Sequence, residues 1–125
     1  MGLQRILYVE DEPDIQAVAR LALEMVGGFT VKICSSGDEA LREAAGFAPD
    51  MILLDVMMPG MDGPSTLAAL RGIDSLKATP VAFMTAKVQP HEVEQLIALG
   101  AVGVIAKPFD PMTLSDQVRA LWQDG

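Results

Sequence analysis

Five apolar runs of four to five residues alternate with amphipathic stretches of about ten residues along this chain. That alternation is the sequence form of repeated βα units. A strand covered on both faces reads as a continuous apolar segment, whereas a helix lying on a sheet shows apolar residues at 3.6-residue spacing. The predicted strands are 5–10, 30–34, 51–54, 80–84 and 103–106. They predict an α/β domain of three layers over residues 1–125, a doubly wound sheet of five parallel strands with five helices on its faces. An apolar content of 50% suffices for a core under both faces.

The first helix is predicted over 13–26, where Ile15, Val18, Ala19, Ala22, Met25 and Val26 form its apolar side and Gly27-Gly28 stops it. The second starts near Ser36 as N-cap, buries Ala40, Leu41, Ala44 and Ala45, and ends at Gly46. The third spans 64–70 and closes at Gly72. The fourth opens at Pro90 or His91 and carries Val93, Leu96 and Ile97 on one face until Gly100. Asp110-Pro111 is a start signal for the fifth, since Asp caps free amides and Pro suits the first helical position. Leu114, Val118, Leu121 and Trp122 supply its buried side, and since the chain nearly ends with it at Gly125, no appended output module is expected.

Charge and composition narrow the function. Nine basic against seventeen acidic residues give a net charge of -8, which repels a phosphate backbone, so no direct contact with nucleic acid is expected. Cys34 is the single cysteine, which excludes an internal disulfide and a cysteine-rich metal site and fits a reducing, cytoplasmic setting. No segment approaches the roughly 20 apolar residues that span a bilayer, and the Met1-Gly2 start lacks the Ser or Thr of a myristoylation signal, having Ile6 there. The single histidine, His91, reads as a solvated residue near a helix start.

Four of the apolar runs end in reactive groups: Glu10-Asp11, Asp55, Thr85 and Lys107. Parallel strands bring such ends to one edge of the sheet, where open α/β folds keep their chemistry. Like charges roughly 4 Å apart repel by about 4 kcal/mol at an effective dielectric of about 20, so neighbouring Glu10, Asp11 and Asp55 need a proton or a cation. Mg²⁺ suits them because it takes one or two carboxylates and keeps waters that a phosphate can displace. Lys107 and Thr85 would then hold phosphoryl oxygens, and Asp55 is the candidate nucleophile, since a carboxylate accepts phosphoryl as a mixed anhydride. Glu12 and Asp14 read as acids in the first helical turn, favoured there by the helix dipole.

From residue 5 to 122 the chain resembles the receiver domains of bacterial two-component response regulators. The likeness rests on Glu10-Asp11 after Ile-Leu-Tyr-Val, on Leu-Leu-Asp55-Val-Met-Met-Pro59-Gly60-Met-Asp-Gly63, on Thr85-Ala86 and on Lys107-Pro108-Phe109. The resemblance implies a flavodoxin-like fold with strand order 2-1-3-4-5 and a cis Lys107-Pro108 bond. It further implies that Asp55 takes phosphoryl from a phosphohistidine on a sensor histidine kinase or histidine phosphotransfer protein, and that the altered surface then meets a downstream protein. Asp11, Asp55 and the backbone carbonyl of Met57 would bind Mg²⁺, with Glu10 acting partly through water. A monomer or weak dimer is expected, with the outer sides of the fourth and fifth helices available for contacts.

One position departs from the family pattern: an aromatic residue often stands three before the lysine, and this chain has Val104. The switch is therefore expected to run through the loop after Thr85 and the fourth helix. Met57 and Lys87, each two residues beyond a site residue, are placed near the path of attacking water, and a bulky Met57 is expected to slow hydrolysis. Met57, Met58 and Met61 together make an adaptable surface near the phosphorylation loop. A haloacid-dehalogenase-like phosphatase expects an Asp where Met57 stands, and a flavodoxin expects a hydroxyl-rich loop where Glu10-Asp11-Glu12 stands. The alternative that stays open is a receiver fold that binds its partner regardless of phosphorylation.

Overall fold

Every predicted apolar run is a strand in the computed structural model, which describes residues 2–122. The strands β1 (Arg5–Val9), β2 (Thr30–Cys34), β3 (Met51–Asp55), β4 (Val81–Thr85) and β5 (Gly103–Ala106) are all parallel. Their order is β2-β1-β3-β4-β5, the flavodoxin-like order implied by the resemblance. Pro80, expected inside the fourth strand, stands just before β4, where its carbonyl accepts from Ile52 N at 2.9 Å. The helices are α1 (Pro13–Leu21), α2 (Gly37–Phe47), α3 (Gly63–Leu70), α4 (Pro90–Ala98) and α5 (Leu114–Leu121).

Alternation along the strands divides the core in two. Ile6, Tyr8, Met51, Leu53, Met84 and Ile105 pack against Ala19, Leu23, Leu114 and Val118 of the α1 and α5 layer. Leu7, Val9, Ile52, Leu54 and Phe83 pack against Ala40, Ala44, Leu67 and Leu70 of the α2 and α3 layer. At roughly 1.5–3 kcal/mol for each large apolar side chain taken fully out of water, these two layers hold the sheet between them.

Four helices depart from their sequence patterns. After Leu21 the first helix continues as a π-helical turn, Ala22–Val26, in which Ala22 O accepts from Gly27 N at 3.2 Å, five residues on. The wider turn leaves Met25 78% and Val26 48% exposed, and Val18 is also exposed, although the spacing places all three on the buried side. The cause lies in α5: Ser115 Oγ donates to Ala22 O at 3.0 Å and Arg119 to Gly27 O at 2.6 Å. A Cβ on residue 27 would overlap Ser115 Oγ, so only glycine admits this approach.

The fifth helix begins at Leu114, not at Asp110-Pro111. Asp110 Oδ1 instead accepts from Met112 N at 2.9 Å and its carbonyl from Thr113 N and Leu114 N, so the acid caps a turn that precedes the helix. The second helix passes Gly46 to Phe47 and reverses at Ala48 in the left-handed region, φ 55°. Ala45 and, on α4, Ile97 face solvent, and α4 buries no residue fully. Trp122 packs on the α1 and α5 side of the core and donates from Nε1 to Asp50 O at 3.3 Å, as a packing residue should. His91 is exposed, and the predicted end at Gly125 lies outside the described residues. Among the described residues no helix is long and apolar enough to cross a membrane.

Candidate functional site

The sheet order brings β1, β3, β4 and β5 side by side, so the residues at their C-terminal ends share one edge. Glu10 follows β1 and continues the row Ile6, Tyr8; Asp55 ends the row Met51, Leu53; Lys107 follows β5 and continues Ile105. Thr85 ends β4 in register with Ala106, and its backbone carbonyl accepts from Lys107 N at 2.9 Å. The Lys107-Pro108 bond is cis, as the resemblance implies.

Lys107 joins the carboxylates. Its Nζ lies 2.9 Å from Glu10 Oε1 and 3.2 Å from Asp55 Oδ1, with Glu10 fully buried and Asp55 nearly so. Carboxylate oxygens of Glu10, Asp11 and Asp55 all lie within 4.8 Å of one another, and Asp11 is half-buried at the mouth. Burial, and then the Glu10 charge, push the Asp55 carboxyl up to about 6 against the pull of Lys107. Burial acts to lower the Lys107 pKa, but its hydrogen bonds and charge interactions with Glu10 and Asp55 outweigh that and hold the ammonium above its ordinary value. Three carboxylates against one ammonium leave an excess of negative charge in a partly buried pocket. The donor set is oxygen alone, close-spaced and hard, which is the chemistry a divalent cation of the Mg²⁺ type requires.

Thr85 is buried, and its Oγ1 accepts from Lys87 N at 3.0 Å, so residue 87 meets the site through its backbone while the Lys87 side chain is exposed. Met57 is 67% exposed and lines an open depression with Val56, Met58, Pro59, Gly60, Asp62 and Pro64. Met58 is buried in the α2 and α3 side of the core, so the methionine surface expected there comes down to Met57 and the half-buried Met61. Val104 is also half-buried on that side, opposite Phe83 in register.

Three contributors escaped the sequence reading. Tyr8 OH donates to Glu10 Oε1 at 3.2 Å, and the period-2 relation of residues 8 and 10 was the available signal. Gly63 lies so close to β3 that a Cβ would stand 2.5 Å from Asp55 O, while its own N donates to Val56 O at 2.9 Å; nothing local announces that approach. Asp62 caps α3 by accepting from Ser65 N at 2.9 Å, and this hydrogen bond lowers its pKa. An Asp before Gly-Pro was a readable cap.

This fold and this edge define a class, and the chain belongs to the response regulator receiver domain family, the receiving domain of two-component signalling, whose model matches residues 6–119. It is 36% identical over 117 residues to the DNA-binding response regulator MtrA of Mycolicibacterium smegmatis, covering 94% of this chain and 50% of that protein. It is 35% identical over 118 residues to the alkaline phosphatase synthesis transcriptional regulatory protein PhoP of Bacillus subtilis, covering 94% of this chain and 48% of that one. The chain thus spans about half the length of these curated relatives. Among solved structures, chemotaxis protein CheY4 of Vibrio cholerae superposes with a TM-score of 0.88 at 31% identity, covering 96% of this chain and 99% of that one.

The raised Asp55 pKa has a measurable consequence in metal-free buffer. The folded protein binds this proton more tightly than the unfolded chain, so the contribution to stability is full below about pH 4 and is lost as pH rises through about 6. Asp55→Asn keeps the neutral shape. Urea unfolding in chelator is expected to show the variant more stable than the parent by on the order of 2 kcal/mol at pH 7.5, with the gain vanishing near pH 4. An equal gain at both pH values, or none at pH 7.5, contradicts the assignment.

Proposed function

We propose that the protein is a phosphorylation switch in which Asp55 accepts a phosphoryl group from a phosphohistidine of a sensor histidine kinase or histidine phosphotransfer protein. The observation that supports it most is the Lys107 ammonium, 3.2 Å from Asp55 Oδ1 and 2.9 Å from Glu10 Oε1 at the centre of the acidic cluster. An Asp55 oxygen attacks phosphorus; the P–N bond breaks with its electron pair left on the ring nitrogen, and a P–O bond to Asp55 forms. Lys107 turns from the Asp55 carboxylate to a phosphoryl oxygen and offsets the charge that develops there. Thr85, whose Oγ1 accepts from Lys87 N and so leaves its proton free, offers its hydroxyl to a second oxygen. Asp11, Asp55 and the Met57 carbonyl, with Glu10 alongside, would hold Mg²⁺, which when bound neutralises the excess carboxylate charge and screens the incoming phosphoryl.

The protein then acts as a single receiver domain in the cytoplasm, as a monomer or weak dimer, on an unidentified downstream protein. Its net charge of -8 argues against a direct nucleic-acid partner. Val104 supplies no aromatic lever, so the change at Thr85 passes to the exposed loop after it and to α4, which buries no residue fully. Comparing amide exchange with and without a phosphoryl mimic is expected to alter protection over residues 85–99; an unchanged segment contradicts this route.

The acceptor itself is tested by incubating the protein with Mg²⁺ and a small phosphodonor. The expected product is an acid-stable, base-labile phosphate that Asp55→Asn abolishes. Chasing the same product gives the hydrolysis rate, and Met57→Asn is expected to raise it, because the exposed thioether at the mouth then no longer obstructs water. A modification that survives Asp55→Asn overturns the acceptor assignment, and an unchanged rate overturns the role of Met57.

A further inference from the structure

Tyr8 occupies a place that packing alone does not explain. It is fully buried on the α1 and α5 side of the sheet, among Ile6, Leu53 and Met84, where a Phe ring would fill the same space. Its hydroxyl donates to Glu10 Oε1 at 3.2 Å, the same oxygen that accepts from Lys107 Nζ at 2.9 Å. The other oxygen, Oε2, accepts from Glu12 N at 3.1 Å. Glu10 is fully buried, so these protein groups replace the water that would otherwise solvate its charge.

The two anchors hold opposite oxygens of one carboxylate: Glu12 N binds Oε2 from the loop, and Tyr8 OH, two residues earlier on the same face, binds Oε1, so together they fix the carboxylate's orientation. Lys107 has a flexible four-carbon stem, so the place of its ammonium is set by its acceptors, Glu10 and Asp55. When Asp55 takes a phosphoryl group its carboxylate changes shape and charge. Glu10 is then the acceptor that keeps the ammonium in reach of the reacting oxygen.

We propose that Tyr8 is a positioning residue for phosphoryl transfer: by holding Glu10 it holds Lys107 where the phosphoryl oxygen arrives. This rests on the reading of Asp55 as the acceptor. Tyr8 touches neither donor nor phosphoryl group, and its action passes wholly through Glu10.

The test is a double-mutant cycle on the full chain with a small phosphodonor and saturating Mg²⁺, using Tyr8→Phe, Glu10→Gln and the pair together. Tyr8→Phe is expected to lower the maximal phosphorylation rate by about tenfold or more, the scale of one hydrogen bond to a charged group, with the half-saturating donor concentration unchanged. The pair is expected to be no slower than Glu10→Gln alone. A second readout needs no phosphoryl chemistry: the ¹⁵N-edited ammonium signal of Lys107 is expected in the parent and to be weakened by faster hydrogen exchange in Tyr8→Phe.

A Tyr8→Phe rate equal to that of the parent overturns the inference, as does a pair whose loss is the product of the two single losses, since Tyr8 would then act independently of Glu10. An unaltered Lys107 signal overturns it even if Tyr8→Phe lowers the yield of folded protein. Absence of phosphate on the parent protein is a separate failure, that of the acceptor reading, and it removes the basis for this one as well.

Discussion

Two buried carboxylates, Glu10 and Asp55, share one ammonium, and the arrangement at the end of the sheet follows from that. A buried carboxylate is costly unless paired, and two beside each other are costlier still. Lys107 balances only part of the charge, which is why Asp55 has its carboxyl pushed up to about 6 by burial and by the charge of Glu10. The site is under electrostatic tension by construction. Anything that brings positive charge to the pocket, or removes negative charge from it, is favoured.

The fold supplies the rigidity that this tension requires. Parallel strands paired in register place Glu10, Asp55, Thr85 and Lys107 at one edge without any of them lying on a long loop. Gly63 lets α3 close tightly against the end of β3, and Asp62 caps that helix through Ser65 N. Among the described residues every buried side-chain nitrogen and oxygen has a hydrogen-bond partner, so the polar groups of the site are fixed rather than loosely solvated. By contrast, the surface from Ala86 to Pro90 and much of α4 is exposed, and no residue of α4 is fully buried.

Much of this was legible in the sequence because burial on both faces of a strand writes itself as an unbroken apolar run. Met51-Ile52-Leu53-Leu54 followed by Asp55 announced both a central strand and a carboxylate at its tip. Helix ends were less legible where a neighbour decides them. Met25 and Val26 fit the apolar spacing of the first helix, yet Ser115 and Arg119 of α5 hold a π-helical turn there and turn both residues outward. Asp110-Pro111 has the chemistry of a helix start, but the Asp spends its hydrogen bond on Met112 N in a preceding turn. At the site, Tyr8 was hidden among strand residues, since an apolar run conceals a phenol whose hydroxyl matters. Gly63 was hidden for another reason, because its close approach to Asp55 O exists only in three dimensions.

In the function proposed above, the cluster of Glu10, Asp11 and Asp55 is a cation site whose unbalanced charge the fold tolerates for the sake of phosphoryl capture. Thermal unfolding of the parent and of Asp11→Asn across a Mg²⁺ titration at neutral pH tests it most directly, because a ligand that binds only the folded state raises its stability in proportion to RT ln(1 + [L]/Kd). The midpoint is expected to climb with Mg²⁺ in the parent and to stay nearly flat in Asp11→Asn. A parent midpoint indifferent to Mg²⁺, or the same climb in both proteins, would contradict it.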